Sequence, residues 1–85
     1  MGRGRRPRPK KLHKKLAMIR RRLKITQEEM AKRLIKTGAE KAMSSGYVAD
    51  FETGKREPSL LALLAYAKLF NTSTDILIDD RRELS

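Results

Sequence analysis

Apolar residues recur along this chain at intervals of three and four, the spacing that lines up one face of a helix. Leu12, Leu16, Ile19 and Leu23 form the first stripe and predict a helix over roughly residues 11–23. A second stripe, Met30, Ala31, Leu34 and Ile35, follows "ITQEE". There the Thr26 hydroxyl can cap the helix while Glu29 returns the bond, completing a capping box. That helix should stop near Gly38, because glycine tolerates the left-handed conformation with which helices often end. "AEKAM" is helix-prone but short. Ser44 or Ser45 can cap a third helix running to about Thr53, with Val48 and Phe51 inward and Gly54 ending it. After the loop "GKREPS", Ser59 caps "LLALLAYAKLF", the most apolar segment of the chain. Asn71 leaves that helix, Ser73 or Thr74 opens a fifth, and Ile76, Leu77 and Ile78 are expected to close the core. The expectation is an all-α domain of five short helices, with no strand and no internal repeat.

Length and composition narrow what such a bundle can do. The 85 residues make one domain at most, too small for most enzyme folds, which need a pocket as well as a core. "MGRGRRPRPKK" is broken by glycine and proline and has no large apolar residue after Met1, so it cannot bury surface to offset its ordering entropy. Residues 1–11 are therefore expected to form a disordered basic arm, residues 12–79 the folded domain and residues 80–85 a C-terminal tail. The formal charge of +11 is localised: residues 1–24 hold 12 of the 21 Lys and Arg and no acid, whereas the remainder holds 9 against all 10 acids. Such a patch attracts a polyanion and releases its counterions, which points to nucleic acid, although a solubilising tail has the same composition.

Other chemistries find little footing. With no Cys and one His, neither a disulfide framework nor a zinc site can be assembled, and His13 among lysines reads as a surface residue. "DILIDDRREL" clusters four acids without the spacing of a calcium loop, and Arg81 and Arg82 partly neutralise them. There is no Gly-rich phosphate loop and no nucleophile with a base partner, so neither a catalytic site nor a cofactor is expected. No apolar run approaches the roughly 18–20 residues of a membrane span, and the arginine-rich start lacks the apolar stretch of a signal peptide. A soluble protein of the cytoplasm, away from membranes, is expected.

"TQEEMA", followed downstream by "VADFETGKREPSLLALLAYAKLFN", resembles the Cro/repressor-type helix-turn-helix family. The family pattern runs Thr-Gln-x-x-Leu-Ala, then Ile-Ser-x-x-Glu-x-Gly-x-x-x-Pro. Here Thr26-Gln27 with Met30-Ala31, then Val48-Ala49, Glu52, Gly54 and Pro58, fall in register, and the likeness covers roughly Leu12 to Ile78. It implies a lambda-repressor-like five-helix bundle in which the second and third helices form the DNA-binding unit and the third enters the major groove. Two departures stand out. The stretch from Leu34 to Ser44 is about seven residues longer than the family's tight turn, and Ala49 replaces the usual Ser, removing a hydroxyl that could meet a phosphate or base.

The resemblance also assigns residues. Arg20 and Glu52 match positions that form a salt bridge tying the first helix to the third; Gly54 and Pro58 are turn residues, and Thr26 is a cap. Gln27 falls where a phosphate is contacted. Ser44, Ser45, Gly46 and Tyr47 lie at the groove-facing start of the third helix, with Gly46 allowing close backbone approach. Asp50 is repelled by phosphate unless it accepts from a cytosine amino group. Lys55 and Arg56 flank the groove edge, and Arg3, Arg5, Arg6, Arg8, Lys10 and Lys11 supply the arm's backbone contacts. The function implied is that of a small bacterial or phage-type transcriptional regulator, acting on double-stranded DNA in the nucleoid as a homodimer. The competing expectation, motivated by the long turn, Ala49 and Asp50, is an antitoxin- or adaptor-like module for a protein partner with residual nucleic-acid binding. A third is non-specific coating of nucleic acid through the arm alone.

Overall fold

Thr26, Ser59 and Ser73 each accept a hydrogen bond from the backbone amide three residues on, at 3.1, 3.1 and 3.3 Å. Each hydroxyl satisfies an amide that the helix itself leaves orphaned, and so fixes where that helix starts. The computed structural model describes residues 9–39 and 43–84. Within them run α1 (Leu12–Leu23), α2 (Gln27–Thr37), α3 (Ser45–Thr53), α4 (Leu60–Leu69) and α5 (Thr74–Ile78), with no strand among the described residues. Arg3, Arg5, Arg6 and Arg8 lie outside the described residues, as do residues 40–42 of the helix-prone stretch.

The helix ends are equally specific. Gly38 turns left-handed (φ 119°); its amide bonds the Ile35 carbonyl and the next amide, of Ala39, bonds that of Leu34. Lys24 (φ 61°) and Asn71 (φ 54°) close α1 and α4 with the same pair of bonds. These reversals satisfy the last carbonyls and turn the chain back over the core. Leu16, Ile19, Met30, Leu34, Val48, Tyr66 and Leu77 are fully buried at its centre. α1 packs on α3 and α5, α2 on α3 and α4, and α4 on α5.

The long connection between α2 and α3 does not part them. Ala39 is buried and Met43 packs against the core, so both ends of the insertion are pinned, and Val48 and Phe51 share one cluster with Met30, Ala31 and Leu34.

Several local expectations are corrected. The Glu29 amide donates to the Thr26 hydroxyl, but the Glu29 carboxylate, expected to return the bond, pairs with Arg33 one turn on at 3.2 Å, a competitor at ideal i,i+4 spacing. Ser44 takes the N-cap of α3 without its hydroxyl making a cap bond. Leu23, Ile35 and Ile76 are only half-buried, and Ile78 is 41% exposed. A five-residue helix can turn one position fully inward, and Leu77 takes it.

Lys15 breaks the polar-outside rule. It is 5% exposed, and its ammonium donates to the carbonyls of Ile76 (2.6 Å) and Asp79 (2.9 Å) at the end of α5. A cation placed on the last carbonyls of a helix satisfies them and its dipole together. Lys15→Met fills the space but strands those carbonyls, so thermal denaturation is expected to show a loss of about 1–3 kcal/mol. A melting temperature within a degree of the parent would refute this role. At the same end of α1 the Lys10 and Lys11 amides donate to the two carboxylate oxygens of Asp80, at 2.9 and 3.0 Å. Thus the last two residues of the expected arm, Lys10 and Lys11, are joined to the first of the expected tail, Asp80.

Candidate nucleic-acid interface

The third helix presents its first turn to solvent. Ser44, Ser45, Gly46 and Tyr47 are all exposed, no acid occupies that turn, and no side chain caps it at the Ser44 position. With no cap bond from the Ser44 side chain, the amides of this turn and the positive end of the helix dipole make an anion-receptive edge. The start of α2 differs: Thr26 caps it and Glu28 and Glu29 stand in its first turn.

Behind that edge, Arg20 and Glu52 hold α3 to α1. Arg20 Nε lies 2.6 Å from Glu52 Oε2 and Nη2 lies 3.1 Å from Oε1, a two-pronged match of guanidinium and carboxylate. A third nitrogen donates to the Ile25 carbonyl at 3.0 Å, so the same arginine also ties the α1–α2 turn. The carboxylate bond raises the Arg20 pKa further above its already high value, against a smaller desolvation effect. Gln27 joins the group, its Nε2 donating to Glu52 Oε1 at 3.3 Å. One acid therefore fixes α1, α2 and α3 together.

Tyr66 lies fully buried on the other side of this group, and among the described residues its hydroxyl has no hydrogen-bond partner. Burial foremost, and then the Glu52 charge, pushes the phenol well above its ordinary range, so it stays neutral. Tyr66→Phe removes an unsatisfied hydroxyl while keeping the ring that meets Phe51 edge-on at 6.5 Å. Urea unfolding is expected to show no loss, or a gain of up to about 1 kcal/mol. A loss beyond 1 kcal/mol would mean that the hydroxyl is bonded after all.

The outer surface of α3 is organised by Arg56. Its guanidinium carbon stands 4.6 Å from the centroid of the Tyr47 ring, its Nε is 3.6 Å from Asp50 Oδ2, and its amide donates to the Asp50 carbonyl. The Asp50 charge is thereby partly offset, and the guanidinium is held over the helix instead of swinging free. Tyr47 continues inward to Phe51 at 6.5 Å. Lys55 is exposed beside it, and Gly54 at φ 83° makes the turn, with the His13 ring 3.7 Å from where a Cβ would stand. Pro58 is buried at the entry to α4.

The residues singled out from sequence thus gather around α3, apart from the arm arginines beyond the described region. The Arg56–Tyr47 stack, the Lys15 cap and the Asp80 bond carried no sequence signal, since each joins residues whose proximity only the folded chain supplies. A helix-turn-helix family model matches residues 16–77. The chain belongs to the helix-turn-helix family. Among solved structures it is similar to the P22 c2 repressor protein in complex with synthetic operator 9T in the presence of Tl+. The two are 25% identical, the match covers 81% of this chain and 94% of that one, and the TM-score is 0.67. Among curated proteins there is no match. In this helix-turn-helix chain the first and third helices are joined by the Arg20–Glu52 pair.

Proposed function

We propose that the protein is a transcriptional regulator that binds double-stranded DNA with the first turn of α3 in the major groove. The observation that carries this reading is the exposed, uncapped and acid-free start of α3, set rigidly on the bundle by Glu52. Ser44 and Ser45 offer hydroxyls to bases or phosphates, Gly46 allows close approach, and Tyr47 offers an apolar edge to a thymine methyl. Lys55 and Arg56 lie at the groove edge against phosphate, and Asp50 reaches a cytosine amino group only if Arg56 releases it. Gln27 uses one amide hydrogen on Glu52 and has a second for a phosphate. Arg3, Arg5, Arg6, Arg8, Lys10 and Lys11 add sequence-independent contacts to the backbone. That the similar P22 c2 repressor protein is in complex with a synthetic operator supports operator DNA as the ligand.

A single unit of this size reads few bases, so the functional form is a homodimer on two half-sites about one helical turn apart. Leu60, Leu61 and Leu64, at 81, 55 and 42% exposure, form the apolar face of α4 suited to that contact. The same leucines favour a second reading, a module that docks another protein. Selection of bound duplexes from a random pool at near-physiological salt separates the two. A two-fold symmetric motif is expected; failure to enrich any sequence, with a protein monomeric by sedimentation on and off DNA, would leave the leucines to a different partner.

A further inference from the structure

Asp80 is an acid among the most basic residues of the chain. Each oxygen of its carboxylate accepts one backbone amide, from Lys10 at 2.9 Å and from Lys11 at 3.0 Å, across 70 and 69 residues of sequence. Lys11 stands at the N-cap of α1 and has no side-chain cap of its own, so the acceptor that α1 lacks locally is supplied from beyond α5. Lys15 reinforces the juncture from the same face by holding the Asp79 carbonyl. These amide bonds keep the Asp80 carboxyl below the usual carboxylate range, so it is charged wherever the protein works near neutrality.

The geometry at the root of the arm gives this bond a further consequence. Pro9 and Lys10 line the same cleft as Thr53, Gly54 and Arg56, so the chain leaves the domain beside the end of α3. Eight residues precede Pro9 and span at most about 28 Å when fully extended, so the exit point decides which phosphates their arginines can reach. A fixed root also concentrates those arginines near one stretch of duplex, where a frayed first turn of α1 would disperse them.

We propose that Asp80 is a positioning residue for the basic arm, fixing through the Lys10 and Lys11 amides the point at which residues 1–8 depart beside Arg56, and so strengthening DNA binding although it is itself an acid. The proposal rests on the DNA-binding reading above. It makes a prediction opposite in sign to simple electrostatics: loss of a negative charge favours a polyanion, whereas loss of the anchor disfavours it.

The test compares affinities for a duplex at fixed salt by fluorescence anisotropy. Asp80→Ala and Asp80→Asn are made in the full chain and again in a full chain whose Arg3, Arg5, Arg6 and Arg8 are replaced by alanine. The two Asp80 variants share one charge change, but the asparagine oxygen can still accept an amide. Asp80→Ala is expected to weaken binding about fivefold and Asp80→Asn less, with no weakening by either where the arginines are absent. Amide exchange at Lys10 and Lys11 in the free protein should quicken in Asp80→Ala and report the lost anchor directly. Unchanged or tighter binding by Asp80→Ala overturns the proposal, as does equal weakening with and without the arginines, which would assign Asp80 to the fold alone. Absence of binding by every chain, parent included, sinks the DNA-binding reading and the proposal with it, a pattern distinct from the other two.

Discussion

Glu52→Ala is expected to destabilise the domain by about 3 kcal/mol or more, a large share of the roughly 5–10 kcal/mol that holds a domain of this size together. The side chains of Glu52 and Arg20 are 6 and 18% exposed, so both charges are largely withdrawn from water. Deleting the acid strands the guanidinium, unties the Gln27 amide and leaves α3 without its polar link to α1. Arg20→Ala is expected to cost a similar amount, because it strands the carboxylate and releases the Ile25 carbonyl as well. Replacing both partners with apolar residues of similar volume, Arg20→Met with Glu52→Leu, should recover part of the loss, since no buried charge then remains. Urea midpoints of the four proteins check this. Single-variant losses under 1 kcal/mol would mean that the pair behaves as an exposed one and does not fix α3.

Raising the salt concentration from 50 to 200 mM is expected to weaken DNA binding by about 1,000-fold or more. Twelve of the chain's basic residues precede Ile25 with no acid among them, and Lys55 and Arg56 add two more beside α3. If six of these displace counterions, the logarithm of affinity falls with that of salt at a slope near −5, each phosphate contact contributing about 0.9. Alanine at Arg3, Arg5, Arg6 and Arg8 should flatten the slope by up to about 3.6 while leaving the preferred sequence unchanged. A slope near −1 in the parent chain would show that the basic block is only solvated, and attention would shift to α3 and the α4 leucines.

Much of the fold could be read from the chain because local chemistry and tertiary packing agree there. The stripe Leu12, Leu16, Ile19 foretold the buried side of α1, and Thr26, Ser59 and Ser73 marked helix starts that the backbone alone would leave open. The link between Arg20 and Glu52 came from the family pattern and is present with both prongs. Elsewhere the outcome depended on competition. Glu29 had two partners within reach and took Arg33; Ile78 belongs to a helix too short to bury all three of its apolar residues. Lys15 read as one more cation of a basic helix, because nothing in its neighbourhood announces that α5 will end beside it. Tyr47 and Arg56 sit nine residues apart, and their stacking exists only because Gly54 reverses the chain.

The bonds from Lys15 and from the Lys10 and Lys11 amides also order events during synthesis. Lys15 leaves the ribosome 61 residues ahead of the Ile76 carbonyl that it serves, and the Lys10 amide 70 residues ahead of the carboxylate that receives it. At a typical 5–20 residues per second, roughly 3–14 s separate the two ends of that bond. Through that interval α1 exists without its cap and with a cation lacking its acceptors. The domain therefore closes only after α5 and Asp80 have emerged, and a nascent chain arrested before Ile76 should be open to protease along α1 where the released protein is not.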